Sequence, residues 1–145
     1  MMKESLSLSI PSSTKYLALV RSVTAVMAGM FGMTDRSGEE VKLAVDEACA
    51  NVIKHAYQGD SNRKIIVKYI IAQSFTVVIE DNGIKARPET MAGRDLDDLR
   101  PGGLGLHFIR RAFDVFTLDP EKKKGNRLRL IRYRRTDDED CDRRE

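Results

Sequence analysis

Three groups of residues in this chain have types and spacings that can do chemistry. The first is Glu47, Asn51 and His55, at i, i+4 and i+8. At 100° per residue these three fall on one stripe of an α-helix. The stripe runs beside Val41, Leu43, Ala44, Val45, Ala48, Cys49, Val52, Ile53 and Ala56, so this helix is apolar around most of its circumference. A surface helix keeps one apolar and one polar face. A carboxylate and a carboxamide set so close to apolar surface cost free energy unless something pairs with them. A metal ion or a ligand is one such partner.

The second group is Asp81-Asn82-Gly83, placed where a strand ends. A carboxylate there can accept a hydrogen bond from a ligand's exocyclic amine, and a glycine lets a flat ring lie close to the backbone. On its own, Asn-Gly after a strand is ordinarily a turn. The third group is Gly102-Gly103-Leu104-Gly105-Leu106, at the start of a short helix. Backbone N–H groups and the positive end of the helix dipole there can receive phosphates. It is not a dinucleotide fingerprint, because Phe108 stands where the third glycine belongs, and no Gly-Lys-Ser/Thr marks a P-loop. Taken alone, the cluster is as readily a turn. Alone, too, Glu47 would be a solvated helix residue and His55 a polar contact at a helix end.

The elements that must position these groups follow from periodicity. Leu6, Leu8 and Ile10 alternate with serines, which predicts a short strand with one apolar face. Pro11 stops it, and a helix is expected over 14–30 with an apolar face of Tyr16, Leu19, Val20, Val23, Val26, Met27 and Met30. Ser37-Gly38-Glu39-Glu40 has the form of a capping box opening the organising helix, 38–57. Residues 64–71 and 75–81 read as an antiparallel hairpin. Residues 84–101 are long for a connection inside a domain and read as a lid. A helix over 104–113 and strands over 114–118 and 127–133 complete the order. Short turns between strands imply a mixed, mainly antiparallel sheet with helices on one face: an α+β two-layer sandwich.

Composition narrows the rest. The chain has 145 residues, 41% apolar and 32% charged, which suits one globular domain over residues 1–135 and a charged, disordered tail over 136–145. No apolar run reaches the roughly 20 residues that span a bilayer, so no membrane association is expected and the cytoplasm is the default location. A net charge of +3 is too small to argue for direct nucleic-acid binding, and the arginines of 127–135 are followed at once by the acids of 137–142. Two cysteines, Cys49 and Cys141, make neither a disulfide framework nor a zinc site.

In combination and in this order, Glu-x3-Asn-x3-His on a helix, Asp-x-Gly after a hairpin strand, a polar lid and Gly-Gly-x-Gly-Leu opening a helix resemble the GHKL ATP-binding superfamily. Within it, Val45-Asp46-Glu47-Ala48 through Asn51 and His55-Ala56-Tyr57 are similar to the signature helix of anti-sigma-factor serine kinases, and the resemblance covers residues 5–134. It implies a Bergerat-type ATP-binding fold with ATP/ADP and Mg2+ as cofactors. By that resemblance Asn51 would be the Mg2+ ligand and Glu47 the general base toward a serine hydroxyl. Asp81 would bind the adenine amine, with Gly83 permitting the ring's approach. Gly102, Gly103, Leu104, Gly105 and Leu106 would line the phosphates, with Arg100 as a lid cation and His55 and Asn126 also at the nucleotide. The implied partners are a small antagonist protein carrying the substrate serine, a sigma factor, and a second copy in a homodimer.

The chain departs from the family pattern in three places. The first glycine box runs on to Ile84-Lys85 instead of a second glycine. Asn126 stands where a threonine often follows the last hairpin's glycine. Pro101 and Gly102 separate Arg100 from Gly103. Two other functions compete. A nucleotide-dependent interaction module without phosphotransfer would not need the base that Glu47 supplies. A histidine-kinase fragment would want a phosphoacceptor helix with its own histidine, and the chain has only His55 and His107.

Overall fold

The structure, a computed structural model, describes residues 3–86 and 103–135. Alternation in the first residues gives strand β1 (Glu4–Pro11), whose Ile10 is buried while Leu6 stays exposed. A 3-10 turn (Thr14–Tyr16) leads into helix α1 (Leu17–Phe31), which ends at Gly32. Helix α2 (Asp35–Asn51) follows and continues as a π-helical turn (Val52–Ala56). Strands β2 (Lys64–Ile71) and β3 (Ser74–Asp81) form the expected hairpin, and helix α3 (Gly103–Ala112) precedes the second hairpin, β4 (Val115–Leu118) and β5 (Asn126–Tyr133).

The five strands lie in the order β1-β2-β3-β5-β4, and every pairing is antiparallel. Among the described residues, then, no strands pair in parallel, and the parallel part of the expected mixed sheet is not found. The crossover through α3 does bring β4 back in the direction of β3, but β5 lies between them, so that parallel relation never becomes a hydrogen-bonded pair. Alternation along β2 and β3 turns Ile65, Val67, Tyr69, Phe75, Val77 and Ile79 toward the helices, where they meet Val41, Val45 and Cys49 of α2 in one core. The α+β architecture with a helical layer on one sheet face is as expected.

Two local expectations are corrected. The core side of α1 is Leu17, Val20, Thr24, Met27, Ala28 and Phe31, while Leu19, Val26 and Met30 are exposed on its other side. Apolar residues surround this helix, so their spacing alone does not fix which side turns inward. The cap of α2 is Thr34, whose hydroxyl accepts from the Ser37 N–H at 3.2 Å. Ser37 instead lies inside the first turn, buried, where its hydroxyl accepts from Nη2 of Arg132 at 2.8 Å. Arg132, on β5 and 1% exposed, also donates Nη1 to the Ala112 carbonyl at 2.8 Å. One guanidinium thus ties the last carbonyl of α3 to the start of α2, and positive charge at a helix C-terminus is favourable.

Candidate nucleotide site

The α2 helix brings the two chemical side chains of the first motif into a half-buried position. Glu47 and Asn51 are neither fully solvated nor enclosed, and neither forms a side-chain hydrogen bond to a described residue. Burial, reinforced by the neighbouring Asp46 carboxylate and opposed by Lys54, holds the Glu47 carboxyl above its ordinary value. A proton acceptor is improved by such a shift. His55 differs from this pair in exposure. It is exposed and lies within the π turn, where the Tyr57 N–H reaches the Val52 carbonyl at 2.9 Å, five residues back. The Val52–Ala56 segment is π-helical, so the regular 100° spacing does not run on to His55.

The second motif meets the end of this same helix. The Ile84 N–H donates to the Ala56 carbonyl at 2.8 Å, and a Cβ on Gly83 would sit 2.2 Å from that oxygen. Gly83 is thus required by the backbone of the π turn itself. Tyr57 holds the same junction from the other side. Its hydroxyl donates to the Lys64 carbonyl at 2.5 Å and accepts from the Asn82 N–H at 2.8 Å. Arg63 lies over its ring and donates to the Asn82 carbonyl. Sequence reasoning includes Tyr57 in the signature stretch without giving it a task. Its signal is an aromatic hydroxyl at a helix end followed by a polar loop back into a strand.

Asp81 is 2% exposed. Its Oδ1 accepts from the Gly83 N–H at 2.8 Å, and Asn126 Nδ2 lies 3.0 Å from Oδ1 and 3.2 Å from Oδ2. Burial pushes the carboxyl up, and these donors together with Lys122 pull it back. Asn126 sits directly across the β3–β5 ladder from Asp81. The turn before it presses equally close: Gly125, at φ +74°, brings its Cα so near β3 that a Cβ would lie 2.0 Å from the Asp81 carbonyl. The carboxamide at 126 therefore makes a direct contact with the carboxylate.

The third motif is placed in part. Helix α3 starts at Gly103 and packs along α2, and Leu106 is buried. Gly103, Leu104 and Gly105 belong to its first turn. Arg100, Gly102 and the lid beyond Ala86 lie outside the described residues, as does the tail from 136 onward. Glu47, Asn51, Asp81, Gly83 and the start of α3 are thus carried by elements that touch α2 or its π turn.

Residues 10–132 match the histidine kinase-like ATPase domain family. The chain belongs to that family. It is 32% identical over 122 residues to a serine-protein kinase RsbW of Listeria monocytogenes, covering 78% of each chain, and 32% identical over 134 residues to one of Staphylococcus aureus, covering 86% of this chain and 83% of that one. A solved histidine kinase domain, from the blue-light activated histidine kinase EL346 of Erythrobacter litoralis, superimposes with a TM-score of 0.53 at 15% identity. That alignment covers 86% of this chain but only 61% of the solved one, and it speaks for the fold alone. Family membership implies ATP or ADP as the ligand of this domain. Among the described residues no helix is long and apolar enough to cross a membrane.

Proposed function

We propose that this chain is an ATP-dependent serine protein kinase and anti-sigma factor, with residues 1–135 as its ATP-binding kinase domain. It would phosphorylate a serine on a small antagonist protein and sequester a sigma factor when ATP is bound. The observation that carries the reading is the joining of two motifs at one helix. Glu47 and Asn51 lie on α2 with no side-chain hydrogen bond to a described residue, and the Asp81–Gly83 corner is bonded to the end of its π turn.

The roles follow from the chemistry of the side chains. Among the described residues no cluster of three or more His, Cys, Asp or Glu could hold a metal by itself. That suits Mg2+, which keeps several waters and takes one or two protein oxygens plus phosphate oxygens; the Asn51 carboxamide is such an oxygen. The ion supplies charge neutralisation on the phosphates. Glu47 accepts the proton of the substrate serine as that oxygen attacks the γ-phosphorus; the bond to the β–γ bridging oxygen breaks and ADP leaves with the electron pair. Asp81 accepts from the adenine amine. The start of α3, from Gly103 through Leu106, with Gly102 and Arg100, receives the phosphates. A homodimer is part of the proposal, supported by exposed Leu6 on the edge strand β1 and by exposed Leu19, Val26 and Met30 on α1. A soluble, cytoplasmic protein without direct nucleic-acid contacts completes it.

The test is transfer of label from γ-labelled ATP with Mg2+ to candidate antagonist proteins of the same genome. Label on an antagonist serine, lost in Glu47→Gln with ATP binding retained, is the expected result. Undiminished transfer in that variant overturns the role of Glu47. Nucleotide binding without transfer to any of the antagonists would favour a regulatory interaction module, and no nucleotide binding would overturn the whole reading.

A further inference from the structure

Asn126 makes more contacts than its replacement of a threonine suggests. Its Nδ2 is shared between the two Asp81 oxygens, at 3.0 and 3.2 Å, and also donates to the Ile84 carbonyl at 3.0 Å. Its Oδ1 accepts from the Ala86 N–H at 2.7 Å. Both amide hydrogens and the carbonyl oxygen are therefore engaged, and the residue is 9% exposed. Flipping the amide would set its oxygen against three acceptors, so one orientation is fixed. Asn126 has no spare hydrogen with which to touch a bound base. Asp81 is engaged unevenly by side chains and the corner: Oδ1 carries the Gly83 N–H and the shorter amide contact, while Oδ2 has the longer amide contact at 3.2 Å.

We propose that Asn126 is a positioning residue for base selection: it fixes the Asp81 carboxylate so that Oδ2, the less engaged oxygen, is held as the acceptor for the base, which favours a purine bearing an amine at its 6 position over one bearing a carbonyl. The inference rests on the nucleotide-binding reading above and adds to it the residue that sets its specificity. The terminal torsion of an aspartate is broad and two-fold, so hydrogen bonds decide where its oxygens point. An adenine amine donates to an oriented acceptor. A hypoxanthine carbonyl meets it acceptor to acceptor, and an unpaired buried polar contact of this kind is a strong basis for discrimination. The same amide bonds Ile84 and Ala86, so it also fixes the backbone leaving the Asp81–Gly83 corner.

The experiment is calorimetric titration of the full chain with ATP and with inosine triphosphate, each with Mg2+, on the wild type, Asn126→Ala, Asn126→Asp and Asn126→Thr. Thermal melts record that each variant is folded. Wild type should prefer ATP. Asn126→Ala should lose about tenfold in ATP affinity, the equivalent of one hydrogen bond, with little change toward inosine triphosphate, so the ratio collapses. Asn126→Asp, equal in size but with an acceptor in place of the donor, should lose the ratio as well. Asn126→Thr, with a hydroxyl donor facing the carboxylate across the ladder, should keep most of it. Equal weakening of both nucleotides in the folded variants means that Asn126 only supports the structure, and overturns the inference. A wild type that prefers ATP while every variant keeps its ratio overturns it alone. A wild type that binds neither nucleotide overturns the proposed function and the inference together.

Discussion

Gly83→Ala tests the junction on which the site depends. The new Cβ would lie 2.2 Å from the Ala56 oxygen, 2.6 Å from its carbonyl carbon and 2.9 Å from its Cβ. Two of these three are backbone atoms, so no side-chain rotation relieves the contact. The corner cannot retreat freely either. Gly83 N–H is bonded to Asp81 and Asn82 N–H to Tyr57. Relief must therefore open the bond from Ile84 N–H to the Ala56 carbonyl. Forcing an extra carbon into packed structure costs about 1–3 kcal/mol, and losing the bond adds about 1 kcal/mol. The expected loss is about 2–4 kcal/mol, read as a lower urea midpoint and a melting temperature down by roughly 10 °C for a domain of this size. Nucleotide affinity should fall with it, because Asp81 moves with the corner. Gly29→Ala is the control. That glycine lies in α1 with nothing within 4 Å of its Cβ position, and alanine there should stabilise by about 0.5–1 kcal/mol. A Gly83→Ala protein within about 0.5 kcal/mol of wild type, on the scale of ordinary surface substitutions, would refute the close approach and the reasoning built on it.

The other predictions concern charge and burial. The raised carboxyl of Glu47 binds its proton more tightly folded than unfolded, so its contribution to stability is full below the unfolded value and is lost as pH rises through the folded one. Glu47→Gln should therefore melt higher than wild type at neutral pH, with the gap closing below pH 4.5; a variant that melts lower at pH 7 contradicts this. Arg132→Lys keeps the charge but loses the fork that reaches both Ala112 and Ser37, and should cost about 2 kcal/mol in urea unfolding; a change below about 0.5 kcal/mol, within the surface range, would show that the two bonds contribute little. Burial pushes the Cys49 thiol up to about 12, so it should resist thiol reagents in the native protein and react once denatured. Labelling of Cys49 at the rate of a free thiol under native conditions would show that the core opens.

What the sequence reveals depends on whether a local pattern determines the feature. The β2–β3 hairpin is legible because alternation has a fixed phase: Ile65, Val67, Tyr69 and Ile71 can face only one way together. The inward side of α1 is not, because a helix apolar on every side offers no phase to read. The start of α2 is ambiguous locally, since both Thr34 and Ser37 can cap. The deciding contact comes from Arg132, 95 residues further on, which draws the Ser37 hydroxyl inward. Among the candidate site residues, Glu47, Asn51, Asp81 and Gly83 can be nominated by type and spacing. The bonds of Asn126 are not legible, because they depend on the β3–β5 register that sets it opposite Asp81.

The π turn lets one helix carry Glu47 and Asn51 and also hold the Asp81–Gly83 corner. Up to Asn51, α2 has the regular spacing that points Glu47 and Asn51 the same way. Beyond it the helix must end against β3 and return to β2. A regular α-helix would bond Tyr57 N–H to Ile53; here it bonds to Val52, and the Ile53 carbonyl takes the Gly59 N–H at 2.8 Å. The wider turn leaves the Ala56 carbonyl directed at Ile84 N–H and the Tyr57 ring between Lys64 and Asn82. Such turns are rare and concentrate at functional sites. The Asn82 and Ile84 N–H groups are thereby bonded to the end of the same helix. Asp81 and Glu47, the carboxylates proposed to read the base and to accept the proton, are thereby joined through two backbone segments and one tyrosine. A change at Tyr57 should accordingly disturb nucleotide affinity and phosphate transfer together, although its side chain belongs to neither task.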